Sequence, residues 1–167
     1  MMGRTHLLAG AAVGALVFPA NPLLGMVAAG VAALLPDIDS PGSTMGRKVW
    51  PVAATLRGTV GHRTLTHTVW FCGLVAVLGA FVGSRLHLAV MMMALAGFLG
   101  SASHLVLDGL TVSGVQPFLP AAWHPRGIFR TGRLGEYGVM LAFLILDVYL
   151  AAHSAPLAHF FRRLGLV

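Results

Sequence analysis

Residues 86–107 read LHLAVMMMALAGFLGSASHLVL, a run with no Asp, Glu, Lys or Arg that ends directly on Asp108. A helix rises about 1.5 Å per residue, so this stretch is long enough to cross a hydrocarbon core of about 30 Å, which takes about 20 residues. Leu134–Ala152 is also of spanning length, although it carries Glu136 and Asp147. Three shorter apolar segments precede them: Leu7–Phe18, Leu23–Leu35 and Thr68–Gly83. Thr66 and His67 extend the last by a turn. Pro19-Ala20-Asn21-Pro22 joins the first two into a helical hairpin that either crosses a thinned bilayer or dips into it against the longer helices. In lipid the backbone must satisfy its own polar groups, so the expected fold is all-α, a polytopic membrane bundle of about five apolar helices.

Composition agrees. The chain is 57% hydrophobic and 10% charged, where a soluble domain carries about a quarter charged residues. Its 167 residues suit one integral-membrane domain, 1–167, and no polar linker divides them. The net charge of +6 comes from basic residues scattered among turns without interleaved aromatics, which excludes a nucleic-acid surface. Cys72 is the only cysteine, so neither an intramolecular disulfide nor a multi-cysteine metal site is available. Arg4 and the apolar run after it resemble a signal peptide, but cleavage after Ala20 would put Phe18 where a small residue is usual and would discard His6. The segment is expected to stay.

Glycines at 10 and 14 and at 79 and 83, with the small residues Gly97, Gly100, Ser101 and Ala102, have the spacing that lets helix backbones approach closely in lipid. Tight packing inside one bundle explains them more simply than a dimer interface, although an oligomer is compatible. If each segment crosses or returns, the amino terminus and the connections 36–66 and 109–133 share one side. That side carries Arg4, Arg47, Lys48, Arg57, Arg63, Arg126, Arg130 and Arg133, against Arg85, Arg162 and Arg163 opposite. The positive-inside tendency makes the crowded side cytoplasmic. Phe160 to Arg163 read as a short amphipathic turn at the other interface.

On this topology His6, Asp37, Asp39, His62, His67, His104 and Asp108 all fall at the cytoplasmic side. Ionisable groups at membrane depth are costly unless paired or metal-bound, so their gathering marks a shared site. His104 and Asp108, four apart, stand about 40° around a helix and reach one ion from one face. His62 and His67, five apart, diverge by about 140°; either His62 precedes the helix at Gly61, or the two serve two ions, or one only supports a ligand. In Leu35-Pro36-Asp37-Ile38-Asp39 an extended backbone would project both carboxylates to one side, while a cap and turn is the plainer reading. Imidazoles with carboxylates and no thiolate favour Zn, then Mn or Fe, as one ion or two. His87, His153 and His159 read as snorkelling interfacial groups, and His124, beside Trp123, as interface anchor or functional residue in equal measure. Arg85 and Asp147, both toward the far side, are expected to form a structural ion pair, and Glu136 either supports the site or pairs with Arg130 or Arg133.

At these residues the chain resembles the YdjM family of bacterial inner-membrane proteins, described as membrane-bound metal-dependent hydrolases. The resemblance rests on Thr5-His6, on Leu35 to Asp39, on Gly61-His62-Arg63-Thr64-Leu65-Thr66-His67-Thr68 and on His104-Leu105-Val106-Leu107-Asp108-Gly109-Leu110-Thr111. These motifs run in the family's order over residues 5 to about 125. It implies metal ligation by His6, Asp37, Asp39, His62, His67, His104 and Asp108. The histidine and aspartate pattern also looks like that of zinc-dependent phospholipase C, an all-helical enzyme. The expectation is therefore a hydrolase of the bacterial inner membrane acting at the cytoplasmic leaflet, with membrane lipids around it and a lipid or other phosphoester as substrate. Asp37 or Asp39, if not both are ligands, would take a proton from water, and Arg63 would pair with phosphate oxygens. A metal carrier or sensor without catalysis is the alternative.

Overall fold

The computed structural model describes residues 1–59 and 64–154; His62, Arg63, His159, Arg162 and Arg163 lie outside the described residues. Within them the chain is helical: α1 Gly3–Val17, α2 Pro22–Ala32, α3 Trp50–Thr59, α4 Val69–Arg85, α5 Val90–Gly109 and α6 Leu134–Ala152. Two 3₁₀ turns, Pro36–Asp39 and Leu65–His67, stand between helices. The expected polytopic bundle is what forms, with Pro22–Asp39, Val90–Gly109 and Leu134–Ala152 each long and apolar enough to cross a membrane. α3 is an addition. It lies inside the connection that the apolar pattern leaves blank, and it packs on the Pro36–Asp39 turn.

Local signals set the ends. Asn21 caps α2 by accepting from the Leu24 amide (3.3 Å), with Pro22 at the first helical position, where its missing N–H costs nothing. Pro36 has no N–H to continue α2, and the chain tightens into a 3₁₀ turn closed by Ile38 N–H to Leu35 O (3.0 Å) and Ser40 N–H to Asp37 O (3.0 Å). Thr68 caps α4 by accepting from the Phe71 amide. α4 and α5 then form an antiparallel pair whose turn passes through His87 at φ 54°.

α5 is the hub, touching α1, α2 and α4, while α6 leans mainly on α1. Small residues permit these approaches. A Cβ on Gly14 would collide with the Gly25 carbonyl, one on Gly79 with that of Met93, and one on Gly100 with that of Ala29. The spaced glycines thus serve contacts inside one chain. After α5 the chain folds back over one end of the bundle. Pro117 O accepts from Val69 N–H (2.8 Å), Leu119 O from the Trp70 indole (3.0 Å), and Thr111 and Phe129 form an isolated bridge.

Arg85 and Asp147 do not meet among the described residues. Arg85 is exposed at the end of α4, which packs on α5, whereas Asp147 is buried on α6, which packs on α1. Sharing a depth in the bilayer does not make two helices neighbours, and the expected ion pair is corrected accordingly. Neither carboxylate oxygen of Asp147 has a hydrogen-bond partner among the described residues.

Candidate metal centre

The first turn of α1, the 3₁₀ turn after α2, the 3₁₀ turn before α4 and the last turns of α5 all reach the same end of the bundle. They carry His6, Asp37 and Asp39, His67, and His104 and Asp108 respectively. His6, His67, His104, Asp39 and Asp108 are fully buried, and Asp37 keeps 19% of its side-chain surface exposed.

His67 Nε2 and His104 Nε2 each face the same two carboxylate oxygens. His67 Nε2 lies 3.7 Å from Asp37 Oδ1 and 3.8 Å from Asp108 Oδ2. His104 Nε2 lies 3.8 Å from each of the same two oxygens. Ligand atoms about 2.0–2.2 Å from a tetrahedral ion stand roughly 3.3–3.6 Å apart, within a few tenths of an ångström of these four separations. His6 adds a fifth donor, with Nε2 3.4 Å from Asp108 Oδ1 and its ring stacked on that of His104 at 3.6 Å between centroids. Two overlapping groups can hold an ion, His6 with His104 and Asp108, and Asp37 with His67 and His104. Among the described residues the ring nitrogens of His6 and Nε2 of His104 are buried without a hydrogen-bond partner. Buried polar atoms left this way are costly, and a cation would supply what they lack.

The histidines are aimed by outer contacts. His104 Nδ1 lies 2.8 Å from the Ala33 carbonyl, which is open to it because α2 ends there. That bond places the proton on Nδ1 and turns the Nε2 lone pair to the centre. Behind His67, Thr66 Oγ1 donates to Asp39 Oδ2 (2.8 Å) and stands 3.1 Å from His67 Nδ1, with Asp39 Oδ2 at 3.8 Å.

The two aspartates therefore do not point together, and the extended Asp37-x-Asp39 reading is corrected. In a 3₁₀ turn residues two apart diverge by about 120°, so Asp37 faces the donor cluster while Asp39 sits behind His67. His104 and Asp108, one helical turn apart, share a face. His62 and Arg63 are outside the described residues.

Other groups complete the site without having stood out as ligands. Glu136, fully buried at the start of α6, accepts from the Met2 amide, from Thr5 Oγ1 (3.1 Å) and from the Gly132 amide (2.6 Å). It clamps the chain beside His6, and no ion pair joins it to Arg130 or Arg133 among the described residues. The Met1 ammonium meets Asp108 Oδ1 at 2.5 Å. Thr5 and Thr66 stood inside the quoted motifs, so their neighbours in sequence were the available signal; nothing marks the Ala33 carbonyl except the helix stop at Pro36. His124 bonds the Ser113 carbonyl at 3.1 Å, which makes it a brace of the loop after α5.

The chain is 29% identical over 154 residues to the uncharacterized protein YvsG of Bacillus subtilis, covering 89% of this chain and 93% of that one. It is 30% identical over 131 residues to the inner membrane protein YdjM of Escherichia coli, covering 74% of this chain and 64% of the relative, and matches the Shigella flexneri protein of that name equally. No solved structure matches it. Since the family model described as YdjM inner membrane protein matches residues 1–162, and the apolar helices are those of a membrane protein, the chain belongs to the YdjM family of inner membrane proteins.

Proposed function

We propose that this protein is a metal-dependent hydrolase that acts on a lipid-borne phosphoester at the cytoplasmic leaflet, with zinc as its ion. The observation that carries the reading is the convergence of His6, Asp37, His67, His104 and Asp108, from four separate elements, at one end of an otherwise apolar bundle. Such groups are retained at membrane depth where they perform chemistry.

Asp37, His67, His104 and Asp108 would hold the ion, and His6 would complete the set or share a second ion with His104 and Asp108. When bound, the ion would supply Lewis-acid polarisation of a phosphoryl oxygen and a more acidic water. The residues do the rest. Asp37, the exposed member, orients the reacting water and can take up its proton, while Asp39 through Thr66 keeps His67 turned inward. Arg63, in the same motif as His67, would pair with phosphate oxygens, and exposed Arg47, Lys48, Arg126 and Arg130 give that end the charge to draw an anionic headgroup.

Purified protein is assayed for bound metal by elemental analysis and for hydrolysis of phosphatidylglycerol and phosphatidylethanolamine vesicles and of soluble phosphomonoesters. Turnover that stops on chelation and returns with zinc is the expected result. Stoichiometric metal with no turnover of any of these would instead favour the non-catalytic carrier or sensor.

A further inference from the structure

The hollow that lies nearest the donors in sequence is lined by none of them. It measures about 400 Å³ and stands between the start of α4, the end of α5 and the loop that follows, with Val69, Leu105, Gly109, Phe118 and Trp123 in its wall. Around α5, Leu105 and Gly109 are turned about 100° from His104 and Asp108, so the hollow and the donors occupy different faces of that helix. Behind the rings of His67 and His104 stand polar groups instead, and the two histidines differ in what they meet there.

His104 meets a carbonyl, the Ala33 oxygen at 2.8 Å from Nδ1. A carbonyl only accepts, so it settles the proton on Nδ1 without help. His67 meets a hydroxyl, Thr66 Oγ1 at 3.1 Å from Nδ1, and a hydroxyl has one proton to give but can also accept. Alone it would hold either form of the ring. Asp39 removes the choice. Its Oδ2 lies 2.8 Å from Thr66 Oγ1, against 3.8 Å from His67 Nδ1, and a carboxylate accepts only. The hydroxyl proton goes to Asp39, the hydroxyl oxygen is left to accept from His67, and Nδ1 must carry a proton. Asp39, Thr66 and His67 are all 5% exposed or less, so bulk water does not compete for these bonds.

We propose that Asp39 and Thr66 are positioning residues that fix a proton on His67 Nδ1 and so keep the Nε2 lone pair for the ion. This rests on the metal reading of the site, and it takes Asp39 out of the ligand set that the resemblance implies. The bond between them also joins two elements. Asp39 ends the turn Pro36–Asp39 and Thr66 lies in the turn Leu65–His67, and those same turns supply Asp37 Oδ1 and His67 Nε2, 3.7 Å apart. One buried hydroxyl thus sets both the proton of a donor and the approach of two donors.

The test uses the full chain in lipid nanodiscs with its histidine nitrogens isotope-labelled for NMR, metal-free and after addition of zinc. His67 is assigned by the signals missing from His67→Gln, and zinc affinity is measured by competition with a chelator. His67 Nδ1 is expected to carry a proton in both states, in the wild type and in Thr66→Ser, which keeps the hydroxyl. Thr66→Val keeps the shape and removes the hydroxyl; the Nδ1 proton signal should shift or vanish, and zinc should bind about 10–100-fold more weakly, the usual effect of losing a partner behind a ligand. Asp39→Asn should weaken zinc binding in the wild type and add little in Thr66→Val, because it acts through that hydroxyl. Ser101→Ala removes another buried hydroxyl, one bonded to the Gly97 and Phe98 carbonyls of α5, and should leave zinc affinity unchanged. A wild-type His67 protonated on Nε2 alone overturns the proposal with no variant needed. So does a zinc affinity indifferent to Thr66→Val, or losses at Asp39 and Thr66 that multiply. A wild type that binds no zinc, yet shows the Nδ1 proton and loses its signal in Thr66→Val, removes the metal reading and leaves the positioning of His67 standing.

Discussion

α5 and α6 are nearly the same length and both are apolar enough to cross a bilayer, yet they stand in opposite positions. Nine residues of α5 are buried, and they include His104 and Asp108. Only two of α6 are, and both are carboxylic acids, Glu136 and Asp147. In lipid an apolar side chain gains little by facing another helix, so apolarity places a helix in the membrane without choosing its neighbours. Small residues choose them for α5, where Gly97 and Gly100 admit the backbones of α4 and α2. Polar residues choose them for α6. Glu136 ties it to the start of α1 through Met2 and Thr5.

That contrast can be broken by substitution. The largest effect belongs to α5: His104→Ala removes the donor that both candidate groups share and leaves the Ala33 carbonyl without its partner, and bound metal measured by elemental analysis should vanish. Glu136→Ala comes next. It leaves the Met2 and Gly132 amides and the Thr5 hydroxyl without their acceptor, at a cost of about 3 kcal/mol, read as a lowered midpoint of unfolding in detergent. If α6 were held by its apolar face instead, that midpoint would stay put.

A matched pair sharpens the comparison. Leu105→Ala in α5, at 6% exposure, should cost about 2 kcal/mol by the cavity it opens, whereas Ile145→Ala in α6, at 61% exposure, should stay within about 0.5 kcal/mol. Equal losses would mean that α6 is covered by a partner. The smallest effect has the opposite sign. Asp147→Leu replaces a buried carboxyl that has no hydrogen-bond partner among the described residues, and should raise the unfolding midpoint by the equivalent of about 1 kcal/mol. A lowered midpoint would show that Asp147 has a role the described contacts do not account for.

Much of the site was legible because its donors sit at the ends of apolar runs. His6 opens one, Asp37 closes another, His67 precedes a third and His104 with Asp108 ends a fourth, so a fold that alternates direction must bring them to one side. The helical spacing of His104 and Asp108 carried over directly, since four residues make nearly one turn wherever the helix lies. Asp37 and Asp39 were harder, because their relation depends on whether the backbone after Pro36 extends or winds, and proline permits both. The pairing of Arg85 with Asp147 failed for a related reason: hydropathy reports depth, while lateral order comes from contacts.

By itself, then, the sequence determined that the chain lies in the membrane, that its apolar runs are helical, and that imidazoles and carboxylates sit at the ends of those runs. These follow from transfer of side chains between water and lipid, which is a property of each residue and its neighbours along the chain. Tertiary structure decided that α5 is central, that Asp39 stands behind His67 while Asp37 faces His67 Nε2 and His104 Nε2, and that Glu136 fastens α1. Those depend on which backbones can approach and which buried polar atoms find partners, and such pairings are made between residues far apart in the chain.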